Sequence, residues 1–117
     1  MTPEWLYHLA LPDDWSEAAA TGRYRWSTRA MTVADVGFVH LSHRHQVLAT
    51  AGRFYGDCAE LVLLQLARAA LGSPVIEEPA PSGERFPHLY GELPVAAVVR
   101  AERWMRSPDG WVAPPYG

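Results

Sequence analysis

The stretch GFVHLSHRHQV, residues 37–47, runs from apolar residues into three histidines, His40, His43 and His45, and its reading decides both the fold and the candidate chemistry. Phe38, Val39 and Leu41 around His40 read as a buried strand, 37–41. Ser42 stands where a helix N-cap belongs. The apolar positions after it, Val47, Leu48, Ala51, Phe54 and Tyr55, recur at i, i+1, i+4, i+7 and i+8, the spacing of one helical face. A helix is therefore predicted over 42–55. His40 then closes a strand directly before a helix N-terminus, where free amides and the helix dipole favour an anion. Two readings stay open for it: a group that binds or protonates a ligand, and a core histidine bonded to backbone. His43 and His45 fall in the first helical turn and do not converge with His40. Zinc ligands on one helix sit a turn apart, and no cysteine or carboxylate is close by. These two read as a solvated helix start, and no metal site is expected.

On the N-terminal side, WLYHLAL (5–11) is short, aromatic and apolar, and Pro12 stops it, which makes a first strand. Trp5, Tyr7, Leu9 and Leu11 share one face, while Leu6, His8 and Ala10 share the other. Asp14 is placed to cap a short helix, with Glu17 reaching back and Gly22 ending it. Tyr24 and Trp26 alternate with Arg23 and Arg25 as a brief strand, and the rest up to Asp35 reads as loop. On the C-terminal side, LVLLQL (61–66) is apolar on both faces and reads as a central strand. Val75 to Glu78 forms another strand before the surface loop PAPSGE, and FPHLYG leads to a last strand within LPVAAVVRAERW. Five or six strands and two helices, not regularly alternating, predict an α+β domain with mainly antiparallel pairing over 1–104. A turn-rich tail, 105–117, is expected to pack on it.

Composition excludes several classes. A chain of 117 residues, 49% of them apolar, supports one core without a metal or disulfide staple. Its formal net charge of −3 offers no basic footprint for a phosphate backbone, so nucleic acid is not an expected partner. All ten basic residues are arginine, which excludes a lysine Schiff base and leaves arginine, histidine or backbone amides to hold anions. Cys58 is alone, suits a reducing compartment and reads as a packing residue rather than a catalytic thiol. No apolar run reaches the roughly 20 residues of a membrane span, and MTPEWLYHLAL lacks a basic leader region. A cytoplasmic protein without a membrane partner is the expectation. Trp104 and Trp111, beside the turn-rich end, read as core or as a homodimer surface, so monomer and homodimer both stay open.

The second informative stretch is GERFPHLYG, 83–91, which gathers Glu84, Arg85, His88 and Tyr90. Aromatic walls with a few polar heads are the material of small-molecule pockets. If extended, it places His88 and Tyr90 on one face; the competing reading makes Tyr90 core and leaves His88 exposed. Arg53, beside Phe54 and Tyr55, is most simply a solvated side chain. Glu60, Glu77 and Glu78 show no spacing that marks a carboxylate pair.

Together, YHLA, GFVHLS followed by QV, RFYGD, LVLLQL and GERFPHLYGELPVAAVV resemble the small bacterial proteins of domain-of-unknown-function family 952, over residues 5–99. His43 and His45 depart from that family's pattern and look like local substitutions. The resemblance implies an ADP-ribosyltransferase-like fold: two packed, mainly antiparallel β-sheets with two helices and a cleft between the sheets. Carried over residue by residue, it implies a histidine-rich cleft in which His8 contacts a ribose hydroxyl. His40 and Ser42 would bind phosphate with the helix N-terminus, Arg53 would neutralise charge, and Tyr90 would stack on a base. His88 is implied as the acid/base, which an unperturbed histidine pKa of about 6.5 permits, with His40 and Glu84 as further catalytic candidates. The implied ligand is a small molecule of nucleotide type, with NAD among the possibilities. The alternatives are a non-catalytic small-molecule binding domain and a histidine acid/base hydrolase or isomerase acting on another metabolite.

Overall fold

The computed structural model describes residues 3–116. In chain order it forms β1 (Trp5–Ala10), α1 (Pro12–Thr21), β2 (Trp26–Thr28), β3 (Met31–Thr32), α2 (Val33–Val36), β4 (Val39–His40), α3 (Val47–Phe54), β5 (Glu60–Ala67), β6 (Val75–Pro79), β7 (Arg85–Leu89) and β8 (Val98–Met105). Short 3-10 turns occupy Arg44–Gln46, Arg68–Ala70 and Val95–Ala97. The architecture is α+β with antiparallel sheets, as the sequence predicted, although three helices form where two were expected.

The LVLLQL run lies in β5, the centre of the sheet β1–β5–β8. A strand apolar on both faces needs cover on both, and the sequence supplies it. On one side Leu64 and Leu66 join Leu6, Ala10, Ala18, Tyr24, Val39, Leu41 and Leu89. On the other, Leu61 and Leu63 join Tyr7, Leu9, Val47, Ala51, Tyr55, Trp104 and Trp111. Each of the fully buried leucines contributes roughly 1.5–3 kcal/mol. Trp104 and Trp111 pack on one another at 4.7 Å between rings and are both buried, so they form no exposed aromatic patch. Trp111 also donates to the Tyr55 carbonyl at 2.8 Å, which ties the C-terminal tail to the end of α3.

The second sheet has the order β4–β7–β6. His40 pairs with His88, Val39 with Leu89, Ile76 with His88 and Glu78 with Phe86. Because side chains alternate, Val39 and Leu89 enter the core while His40, Phe86, His88 and Glu78 share the opposite face. A reciprocal pair of backbone hydrogen bonds between Tyr7 and Ser42, at 2.9 and 2.8 Å, joins the edge of β1 to the chain just after β4 and so links the two sheets.

That link overturns the reading of Ser42 as a helix cap. Its N–H is committed to Tyr7, so the chain stays extended, turns through Arg44–Gln46 and enters α3 only at Val47. Sheet pairing has outweighed a local capping preference. The expected helical face also divides: Val47, Ala51 and Tyr55 are buried, but Leu48 is 42% and Phe54 53% exposed. At the first helix the cap is Leu11 with Pro12 in the first turn, and Asp14 makes no capping bond; a Pro at N1 is already preorganised for the helix. Gly22 ends that helix in the left-handed region, φ 82°, as read from the sequence. Among the described residues, no helix is long and apolar enough to cross a membrane.

Candidate functional site

The face of the second sheet turned away from the core is covered in part: Ser27 and Thr28 of β2 and Arg53 and Phe54 of α3 stand against it, and a two-lobed cleft lies between them, while Ile76 stays 48% exposed. The smaller lobe, about 200 Å³, is bounded by His8, Ser27, Arg29, His40, Ser42, Thr50 and Tyr55 among others. The larger, about 430 Å³, is bounded by Val36, Phe38, Arg53, Pro81, Phe86 and His88 among others. Ser27, Thr28, His40 and Phe54 border both. The walls are chiefly aromatic and aliphatic, with a few polar atoms, the usual make-up of a small-molecule pocket.

His8 and His40 both reach this cleft, and their hydrogen bonding departs from the ribose-contacting role expected of His8 and decides between the two readings left open for His40. Nδ1 of His8 is 2.8 Å from the His40 carbonyl and Nε2 is 2.7 Å from the Tyr24 hydroxyl. The carbonyl only accepts, so Nδ1 carries the proton, Nε2 accepts from Tyr24, and the ring is neutral with both nitrogens occupied. Burial, offset in part by the bond to the His40 carbonyl, lowers its pKa to about 4. His8 is thus the core histidine, holding β4 against β1, and has no nitrogen left for a ribose hydroxyl. His40 is the open one. Its Nε2 is buried without a partner, as is the Ser27 hydroxyl across the cleft. Burial, with the nearby His88 second, lowers the His40 pKa to about 4, so it stands neutral at cellular pH. Two unpaired buried polar atoms bordering the same two lobes are costly to the fold alone, by about 1–3 kcal/mol each.

His88 lines the larger lobe. Phe38 stacks on it at 4.0 Å with an 11° interplanar angle, and its Nδ1 lies 2.8 Å from a Glu78 carboxylate oxygen. The same oxygen accepts the Tyr90 hydroxyl. Tyr90 is therefore beside the cleft, tied to Glu78 and outside both lobes. Its partners hold Glu78 below the usual carboxylate range, the Tyr90 bond first and the His88 bond second. Arg53 is exposed at the mouth of the larger lobe and has no ion-pair partner among the described residues. Arg29, in contrast, is committed to Asp57 at 2.6 and 3.2 Å.

Glu84 departs from expectation. It is exposed and accepts from the Gln46 amide at 3.0 Å, facing a small side recess rather than either lobe. Ser42 borders the smaller lobe, but its amide is bonded to Tyr7, so the phosphate site at a helix N-terminus is absent. The three histidines of the opening stretch diverge. His43 pairs with Glu77 at 2.6 Å, within a network that continues through Arg68 to Glu4. His45 is exposed and stacks on His43. Cys58 is outside both lobes.

Ser27, Phe38, Phe54 and Glu78 escaped the sequence reading. For Phe38 and Glu78 the signal was present: alternation along FVH and IEEP, once the hairpin register is known, puts them on the face of His40 and His88. Nothing local marks Ser27, whose place depends on β2 crossing the second sheet.

An α+β domain with antiparallel sheets is thus the class that the fold defines. Residues 9–101 match the family described as a protein of unknown function, DUF952, and the chain belongs to that family. It is similar to the protein CC0527 of Caulobacter crescentus, a structural-genomics target. The crystal structure of CC0527 superposes with TM-score 0.79 at 33% identity, covering 92% of this chain and 91% of that one. Its solution NMR structure gives TM-score 0.76 at 33% identity, covering 92% and 90%. A crystal structure of a double mutant of the same protein gives 0.79 at 36% identity, again covering 92% and 91%. No curated protein matches the chain.

Proposed function

We propose that the cleft binds a nucleotide-type small molecule. The observation that carries this reading is the pair of buried, unpartnered polar atoms, Ser27 Oγ and His40 Nε2, bordering both lobes. A sugar hydroxyl, at once donor and acceptor, satisfies both kinds of group. The rings of Phe54 and Phe86 suit a planar base, and Arg53 at the mouth suits a phosphate. An NAD-type nucleotide is the form of this reading that the resemblance to ADP-ribosyltransferase-like domains implies, with His40 and Ser27 taking the hydroxyl-binding role expected of His8. Transfer through Glu84 has no support, since that side chain faces another recess.

Titration calorimetry of the purified protein with NAD, AMP and adenosine tests the reading. Saturable binding is expected, weakened about tenfold in Ser27→Ala and in His40→Leu, the loss of one ligand hydrogen bond. Heats that do not saturate with any of the three, or affinity indifferent to both substitutions, would overturn it.

A further inference from the structure

We propose that the cleft is also a proton-transfer site: His88 Nε2 takes a proton from the water that attacks the bound molecule while Glu78 holds the ring from behind, and the reaction is hydrolytic release of a planar leaving group. This rests on the nucleotide reading of the cleft and adds a reaction to it.

The hairpin β6–β7 builds the pair. Its register sets Glu78 opposite Phe86, diagonal to His88 on one face, and brings the carboxylate to 2.8 Å from Nδ1. An ionised carboxylate only accepts, so Nδ1 bears the proton and the lone pair of the neutral ring is on Nε2. Three contacts fix the arrangement: Phe38 sets the ring plane by stacking, Glu78 sets the tautomer, and the Tyr90 hydroxyl anchors the Glu78 oxygen. Nε2 has no hydrogen-bond partner among the described residues, and the ring borders the larger lobe.

Glu78 on β6 and His40 on β4 lie against His88, Tyr90 after β7 shares the Glu78 oxygen with it, and Arg53 on α3 lines the same lobe. Glu78 favours a transient imidazolium, and His40, 5.3 Å away between ring centres, is a neighbour that would oppose one if charged. Kept neutral by burial, it adds no repulsion, and its unpartnered Nε2 is left to hold the ligand. Two neighbouring histidines in unlike environments divide binding from proton transfer.

In the step, His88 Nε2 takes a proton from water as the water oxygen bonds to the ligand carbon. The bond from that carbon to the leaving group breaks with its electron pair, so a pyridinium-type group such as nicotinamide departs neutral, and the imidazolium gives its proton to solvent. No oxidant or metal enters the balance. Glu78 touches no reacting atom and is a positioning residue.

Nicotinamide release from NAD, followed by mass spectrometry between about pH 5 and about pH 9, beside calorimetric binding, tests the proposal. Release by the unaltered protein is expected. It should fall about 100-fold or more in His88→Ala and in the bulkier His88→Gln, while both still bind NAD. Glu78→Gln keeps an acceptor for Nδ1 but loses the charge, so kcat should drop while KM and NAD binding stay close to those of the unaltered protein. Binding without release by the unaltered protein overturns proton transfer and leaves the nucleotide reading standing. A Glu78→Gln variant that keeps kcat, or loses NAD binding along with it, overturns the positioning role. Absence of binding overturns both readings.

Discussion

The sheet β1–β5–β8 buries both faces of its central strand against the core, whereas β4–β7–β6 buries one face and turns the other, with His40, Phe86 and His88, toward a cleft. The same antiparallel pairing serves stability in the first and leaves polar atoms without protein partners in the second. Two histidines make the contrast concrete. His8, on the first sheet, has both nitrogens satisfied by protein; His40, on the second, keeps Nε2 unpaired. In the first sheet this polar group is a structural tie, and in the second it has no protein partner.

Four expected outcomes break or sharpen that contrast. The largest belongs to β5: Leu64, 0% exposed, should cost about 2–5 kcal/mol on truncation to Ala, read from urea unfolding. Next is pH. Both His8 and His40 have folded-state pKa values lowered to about 4 from 6.5. The unfolded chain therefore binds protons first as pH falls, and the stability these two histidines confer, fully present above pH 6.5, should decline on the way down to about pH 4, by a few kcal/mol in all, with the low-lying carboxylates such as Glu78 adding a further loss in acid. Thermal unfolding across that window measures it. Smaller is Tyr24→Phe, which strands His8 Nε2 in a buried site and should cost about 1–3 kcal/mol. Smallest is Ser27→Ala: its hydroxyl has no partner to lose, so stability should stay within about 0.5 kcal/mol of the unaltered protein or rise. A large loss there would put Ser27 in the structural class of His8 and weaken the contrast.

Much of the first sheet was legible in the sequence. WLYHLAL and LVLLQL announce strands by run length and by apolar residues on both faces, whereas β7, within the FPHLYG stretch, and its pairing with β6 across the PAPSGE loop were not read. What misled was Ser42, where a capping residue sits before a helical face and the pairing partner, Tyr7, lies 35 residues upstream. Local preference cannot see such a partner. The candidate site was legible as a set of residue types, since His8, His40, Ser42, Arg53 and His88 all border the cleft, but not as roles. Which histidine is a tie and which is open depends on Tyr24 and on the His40 carbonyl, and neither contact leaves a trace in spacing. Glu78 was set aside because carboxylate pairing was sought along the chain, whereas its partner, His88, is across a hairpin.

The most direct measurement is an NMR titration of isotope-labelled protein with AMP, following backbone amides and histidine ring nitrogens together. A ligand taken up where Ser27 and His40 lack partners should move the His40 Nε2 signal and the amides of Ser27, Thr28 and Phe54, while leaving the His8 ring nearly still. Shifts confined to the distant surface of Arg44, Leu48 and Tyr116, or a His8 ring that moves while His40 does not, would contradict the division of the two sheets into structure and site.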